Sequence, residues 1–266
     1  MRKAAVAGRF YSDSPAQLHK EVSSFINVSA KKQKALGILS PHAGYVYSGE
    51  VAGAVFSAID LPKSFVIIGP NHTGRGEIVS INSEEKWEMP GGIVKMNKTL
   101  AEIIKSKSAT IKEDRIGHCY EHSLEVQIPF IQNFLDEFDI VPICIQHIDY
   151  SSCEKIGIAI AHSINEYREP VLIIASSDMT HYESQKSAER KDREALDKII
   201  DLDPRGLFDT VRKHSISMCG FIPATIMLIA CEKLGAERAG IVKYMTSGDV
   251  SGDYEQVVGY AGAIVV

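Results

Sequence analysis

Two hydrophobic rhythms alternate along the chain. Short apolar runs rich in β-branched residues, bounded by Gly, Pro or polar clusters, predict strands near 36–40, 65–69, 76–81, 139–145, 171–176, 239–245 and 257–266. Between them, apolar residues recurring every three to four positions predict helices near 49–60, 97–106, 121–137, 152–166, 184–200, 203–213 and 221–235. In the third of these helices Leu124, Ile128, Ile131, Phe134, Leu135 and Phe138 share one face, and Pro129 should kink it or mark a later start. Strand–helix alternation is the pattern of an α/β protein, here a single three-layer α/β/α domain over residues 1–266. The segment 76–96, with Trp87, Pro90 and Gly91-Gly92, reads as an antiparallel excursion, so the central sheet should be mixed but largely parallel. No Ser/Gly- or Pro-rich linker and no internal repeat divides the chain.

The strand ends carry the candidate chemistry. The run Leu36–Leu39 leads into Pro41-His42, Phe65–Gly69 into Pro70-Asn71-His72, and Val171–Ala175 into Asp178 and His181. In open α/β sheets ligands bind outside the carboxyl ends of the strands, so these side chains should meet at one rim. One histidine after a strand is more often a hydrogen-bonded loop residue than a ligand. Two in the same position, with Asp-x-x-His after a third strand, favour a shared site.

Cys219, in SMCGFIP, precedes the predicted helix 221–235, where unpaired amides and the helix dipole should make its thiolate easier to form. Imidazole nitrogens with a thiolate suit zinc, copper or iron. Two histidines and a cysteine leave a coordination position open, as reactive or ligand-binding sites do. His181, oriented by Asp178, could serve as a general base or a further ligand near neutral pH. Tyr45 and Tyr47, just after His42, suit a pocket wall, and packing under a loop explains them equally well. His118 and His122, four apart, could share a helical face; His122 is kept as a pocket residue. His19, His147, His162 and His214 read as ordinary surface or helix-face residues.

Composition narrows the function further. A hydrophobic content of 45% over 266 residues supports a large core, and a net charge of −5 without a basic block argues against nucleic-acid binding. The apolar start of the chain is too short for a signal peptide, and no run nears the ~20 residues of a membrane span. A cytoplasmic protein without membrane contact is the expectation. Five cysteines without a C-x-x-C pair are neither a disulfide framework nor a closed zinc site; Cys144 and Cys231 read as buried hydrophobes. No phosphate loop, dinucleotide fingerprint or nucleophile elbow occurs. Ser-Gly-Asp at 247 and 251 reads as two tight turns.

The motifs AGRFY (7–11), SPHAGYVYSG (40–49), IGPNHTG (68–74), EHSLEVQIPF (121–130), SSDMTHY (176–182), MCG (218–220) and VVGYAGA (257–263) resemble the Memo family, called AmmeMemoRadiSam system protein B in prokaryotes. The resemblance runs nearly end to end and implies the fold of class III extradiol ring-cleaving dioxygenase catalytic subunits, with a pocket at the strand ends. It implies His42, His72 and Cys219 as metal ligands, with Asp178 and His181 beside them. In the dioxygenases the third ligand of the ferrous iron is a carboxylate. A thiolate there alters the metal's electronics and preference, which argues against carrying ring cleavage over. Animal members are described as phosphotyrosine-peptide-binding effectors and as copper- or iron-binding redox proteins. They tend to carry Trp where this chain has Phe10. The prokaryotic name implies AMMECR-family and radical-SAM partners.

The expectation is therefore a mononuclear metal-binding redox protein, with iron or copper favoured over zinc, held by His42, His72 and Cys219. His181 would handle protons and Asp178 would fix its tautomer. Phe10, Tyr45, Tyr47, Asn71 and His122 would line the pocket for a small molecule or peptide. The alternatives are a non-catalytic binding module using the same cleft, and cysteine-based hydrolysis with Cys219 as nucleophile and His181 as base.

Overall fold

A computed structural model describes residues 1–266. Its strands are Arg2–Lys3 (β1), Gly37–Ser40 (β2), Ser64–Pro70 (β3), Val79–Ile81 (β4), Trp87–Met89 (β5), Gly92–Met96 (β6), Lys112–Glu113 (β7), Asp139–Ile145 (β8), Val171–Ser176 (β9), His181–Glu183 (β10), Ala239–Thr246 (β11) and Val257–Val265 (β12). Its helices are Pro15–Phe25 (α1), Tyr45–Ser57 (α2), Lys98–Lys107 (α3), Ile128–Phe134 (α4), Tyr150–Tyr167 (α5), Gln185–Ile200 (α6), Pro204–Lys213 (α7), Phe221–Lys233 (α8) and Gly248–Ser251 (α9).

The strands join in one sheet of order β1-β5-β6-β8-β3-β9-β2-β12-β10, with β11 on β12 and β4 on β8. Strands β8, β3, β9 and β2 run parallel, and β12 closes antiparallel on β2. The β5–β6 hairpin and β4 against β8 are the antiparallel excursion expected of 76–96. The central strands are apolar at nearly every position because both faces are covered. Val66 and Ile68 join a core with α3, α5, α6, α7 and α8, whereas Phe65 and Ile67 face a second core with α1, α2 and α4. The fold is thus α/β in three layers around a mixed, mostly parallel sheet. No helix is long and apolar enough to cross a membrane.

Local chemistry moves some predicted boundaries. The helix expected over 121–137 begins only at Ile128, with Pro129 in its first turn, where a missing N–H costs nothing. Residues 119–124 stay out of the helix, because the Glu121 carboxylate takes the amides of His122 and Ser123. His118 therefore shares no helical face with His122; it is buried, with Nε2 3.2 Å from the Ser80 carbonyl. Helix α2 starts at Tyr45, earlier than expected, after Gly44 as its N-cap. Helix α1 has no counterpart in the sequence reading. Only Leu18 and Val22 of its eleven residues are buried, a faint stripe despite Ser14 and Pro15 at its start. The first Ser-Gly-Asp forms the single turn of α9, and the second ends it at Gly252 in the left-handed conformation.

The N-terminal segment straps the loop that precedes α4. The Arg2 guanidinium is buried, 4.1 Å over the Trp87 ring, and ion-pairs with Glu125 at 2.6 Å. It also donates to the carbonyls of His118 and Glu121, both at 2.6 Å. Glu125 accepts the Ala5 and Val6 amides and the Tyr11 hydroxyl. A carboxylate and a guanidinium removed from water need all these partners to offset desolvation. The strap fixes the loop carrying Glu121 and His122 against the sheet.

Candidate metal centre

Outside the ends of β2 and β3, His42 and His72 face each other with ring centroids 5.2 Å apart. His122 joins from the loop before α4, stacked on His72 at 4.7 Å and 5.5 Å from His42. One nitrogen of each ring lies within 4.8 Å of those of the other two. Tetrahedral donors on bonds of about 2.1 Å sit roughly 3.4 Å apart, so a closure of about 1 Å brings the rings round one ion. His42 is buried, His122 partly so, and the His72 side chain is 35% exposed.

The supports behind the rings set their tautomers. Ser176 donates its hydroxyl proton to the Ser123 carbonyl at 2.6 Å and accepts from Gln127 Nε2 at 2.9 Å. Its remaining contact, with His42 Nδ1 at 2.9 Å, therefore has the ring as donor, which leaves the His42 Nε2 lone pair free. Glu121 does the same for His72, with Oε1 2.9 Å from Nδ1. Burial, and then the charges of His72, His122 and His181, hold His42 well below the usual histidine range. Burial also lowers His122, although Glu121 partly opposes it. For His72 desolvation acts downward, but the Glu121 hydrogen bond and charge outweigh it and the net shift is upward. Glu121, despite its own burial, is held down at about 2 by His72, His122 and the Ser123 amide. Neutral His42 and His122 are the form that ligates a metal.

Cys219 sits immediately before α8, as expected, with Sγ 3.2 Å from His42 Nε2. It lies outside the compact three-nitrogen set, whose third member is His122, while staying close to His42. Desolvation and the neighbouring Asp178 carboxylate push the thiol upward and outweigh the hydrogen bonds from the Asp178 and Gly220 amides that ease thiolate formation. With Nε2 of His42 free to accept, the pair is a neutral thiol donating to a neutral imidazole. That arrangement gives hydrolysis neither a ready nucleophile nor His181 as its partner.

Asp178 does not orient His181 either. Its Oδ1 accepts the amides of His42 (2.8 Å) and Ala43 (3.3 Å), so it fixes the loop after β2, while Oδ2 lies 4.0 Å from His42 Nε2. His181 takes its orientation from Ser217, whose carbonyl lies 2.9 Å from Nδ1 and whose hydroxyl accepts the His181 amide. Its Nε2 is left free on a partly exposed ring. A bulge between His181 and Glu183 turns Tyr182 outward in the left-handed conformation, 74% exposed beside the site.

The proposed pocket residues divide. Phe10 packs edge-on against His122 at 4.9 Å and borders a cavity of about 470 Å³ lined also by Arg9, Tyr11, Asp13 and Val46. Tyr47 is exposed at the start of α2. Tyr45 belongs to the core instead: it is 2% exposed, packed on Tyr11 and Phe130, and donates to the Val126 carbonyl. Asn71 spends its side chain on its own turn, accepting from Thr73 and Gly74 and donating to the Arg75 carbonyl, and so shapes the loop that presents His72. Glu121, Ser176 and Gln127 went unnoticed in the sequence. The one available signal was an acid, Glu121, directly before His122.

Fold and site together define a class: an α/β protein whose strand-end rim gathers three imidazoles able to hold one metal ion. Comparison with known proteins supplies the family. The model of the Memo-like protein family matches residues 2–264, and the chain belongs to the Memo family. Similar relatives include MEMO1 family proteins of Methanosarcina barkeri, 42% identical over the whole of both chains, and Methanosarcina mazei, 43% identical over all of this chain and 99% of that one. A third, from Methanocaldococcus jannaschii, is 40% identical over all of this chain and 99% of its own. Among solved structures, an uncharacterised protein of Escherichia coli K12 has a similar fold, with a TM-score of 0.61, 12% identity, and coverage of 87% of this chain and 100% of that chain.

Proposed function

We propose that this chain is a mononuclear metal-binding redox protein with a dioxygenase-like site, in which His42, His72 and His122 hold iron or copper and Cys219 is an adjacent softer donor. One observation supports the reading: His42 and His72 each have Nδ1 engaged from behind, so each keeps Nε2 as the nitrogen able to ligate, and one nitrogen of each ring lies within 4.8 Å of one on His122. Nitrogen donors suit iron, copper and zinc alike, and sulfur beside them favours the softer ions, copper(I) and zinc. A bound iron or copper ion would supply one-electron redox chemistry. His181, with Nε2 free, would take or return a proton at that atom, and Asp178 would keep the His42 loop in place. Phe10 would wall the entrance and hold water from His122.

The test is metal analysis of protein purified anaerobically, since air oxidises exposed thiols and ferrous iron. About one equivalent is expected in the wild type, and its loss in His42→Ala and His122→Ala. Equal metal in all three proteins sinks the assignment.

The cavity beside Phe10 favours a second reading, a non-catalytic module that binds a small molecule or peptide there. Ligand affinity that needs no metal and survives His42→Ala would favour it.

A further inference from the structure

We infer that Glu121 is the positioning residue of this centre: it fixes the tautomer of His72 and locks His72 and His122 into one unit. The inference rests on the metal-binding reading above and names what makes that site a site. Glu121 is 1% exposed, and both of its oxygens are spoken for. Oε2 accepts the His72 amide at 2.6 Å. Oε1 accepts His72 Nδ1 at 2.9 Å and the amides of His122 and Ser123 at 2.9 and 2.8 Å. A carboxylate only accepts, so Nδ1 of His72 carries the proton and Nε2 keeps its lone pair.

His72 has no other means of making that choice. It follows β3 on an exposed turn, and no second side chain holds its ring through a hydrogen bond. His122 has no side-chain hydrogen bond; its amide donates to Glu121, its Nδ1 lies 3.4 Å from Glu121 Oε1, and its ring stacks on His72 and packs against Phe10. The carboxylate cannot drift to follow the rings, because Arg2 grips the Glu121 carbonyl and the Ser123 hydroxyl donates to the Pro70 carbonyl at 2.8 Å. One buried group therefore sets the ring of one ligand and the backbone of another. Partners of this kind behind ligating histidines are worth roughly 10–100-fold in metal affinity.

A purely structural role, satisfying three loop amides, would hold the chain without regard to which ring nitrogen is protonated. The ¹⁵N spectrum of the histidine rings separates the two. At about pH 9, where the imidazole is neutral, metal-free wild-type protein should show His72 protonated at Nδ1 and bare at Nε2. Glu121→Gln should give a tautomer mixture and bind zinc, the probe metal, about 10–100-fold more weakly. Asp192→Asn removes a buried carboxylate that is bonded to Thr180 and Tyr244 and has no part in the loop of Glu121, and should leave the His72 tautomer as it is. Wild-type His72 protonated at Nε2 overturns the inference, and so does Glu121→Gln with an unchanged tautomer and a zinc affinity within twofold of wild type. If Glu121→Gln does not fold, the wild-type spectrum alone decides. A wild type that shows the Nδ1–H form but takes up no zinc removes the metal-binding reading and leaves the hold of Glu121 on His72 supported.

Discussion

Arg2 and Glu125 are side chains 2% and 0% exposed, so removal of either strands the other as an uncompensated buried charge. Arg2→Ala is expected to cost about 3–5 kcal/mol of stability, read from denaturant unfolding. A second prediction concerns acid. His118, kept at about 4 by burial and by Arg2, and Glu121, kept at about 2, both titrate below their ordinary values of 6.5 and 4.5. A depressed value means the unfolded chain binds the proton first, so stability falls as pH drops, between 6.5 and about 4 for His118 and between 4.5 and about 2 for Glu121. His72 is raised and acts oppositely, contributing below 6.5 and fading as pH climbs through its folded value. Unfolding free energy measured against pH should decline on the acid side, and Glu121→Gln should flatten the lowest limb. His42, His72, Asp178 and His181 were legible in the sequence because strand-end position is a matter of counting. Which group each faces was not. Asp178 turned to backbone amides and Ser217 took His181, since only the folded chain shows which acceptor is nearest.

Strand β9 and the start of α8 approach so closely that only a glycine fits between them. A Cβ on Gly220 would lie 2.2 Å from the Ser176 carbonyl and 2.5 Å from Ser177 Cβ. Backbone atoms cannot yield, so Gly220→Ala should push the loop outward, lose about 1–3 kcal/mol, and part Cys219 from His42. Faster labelling of Cys219 by a thiol reagent is the measurement; an unchanged rate with unchanged stability would contradict the packing argument. The long strands and helices were visible as apolar runs and stripes, because elements buried on one or both faces carry that pattern in their own residues. Strands β1, β7 and β10 were not. Each is two or three residues paired through a neighbour's edge, and Lys112–Glu113 holds no apolar residue to announce it.

At the scale of the whole molecule, the site depends on the fold being complete, and metal should return stability to the fold. A ligand that binds only the native state at 100 times its Kd adds about 2.7 kcal/mol. Zinc should therefore raise the thermal midpoint of the wild type and leave His42→Ala unmoved; equal shifts in both would place zinc elsewhere. The sequence foretold one rim serving several strands, because parallel strands necessarily end on the same side. It did not foretell the strap from Arg2 to the loop at 118–125, which joins residues over a hundred positions apart.

The spacing of Cys219 from His42, 177 positions along the chain, has a consequence for biosynthesis. On the ribosome, His42, His72 and His122 emerge long before the cysteine is made. So does β2, which waits for β12, the last strand, to cover its open edge. Throughout that interval a growing polypeptide offers three imidazoles without their sulfur neighbour. Until Cys219 is made, the thiols that accompany the three imidazoles on the growing chain are those of Cys119, Cys144 and Cys153.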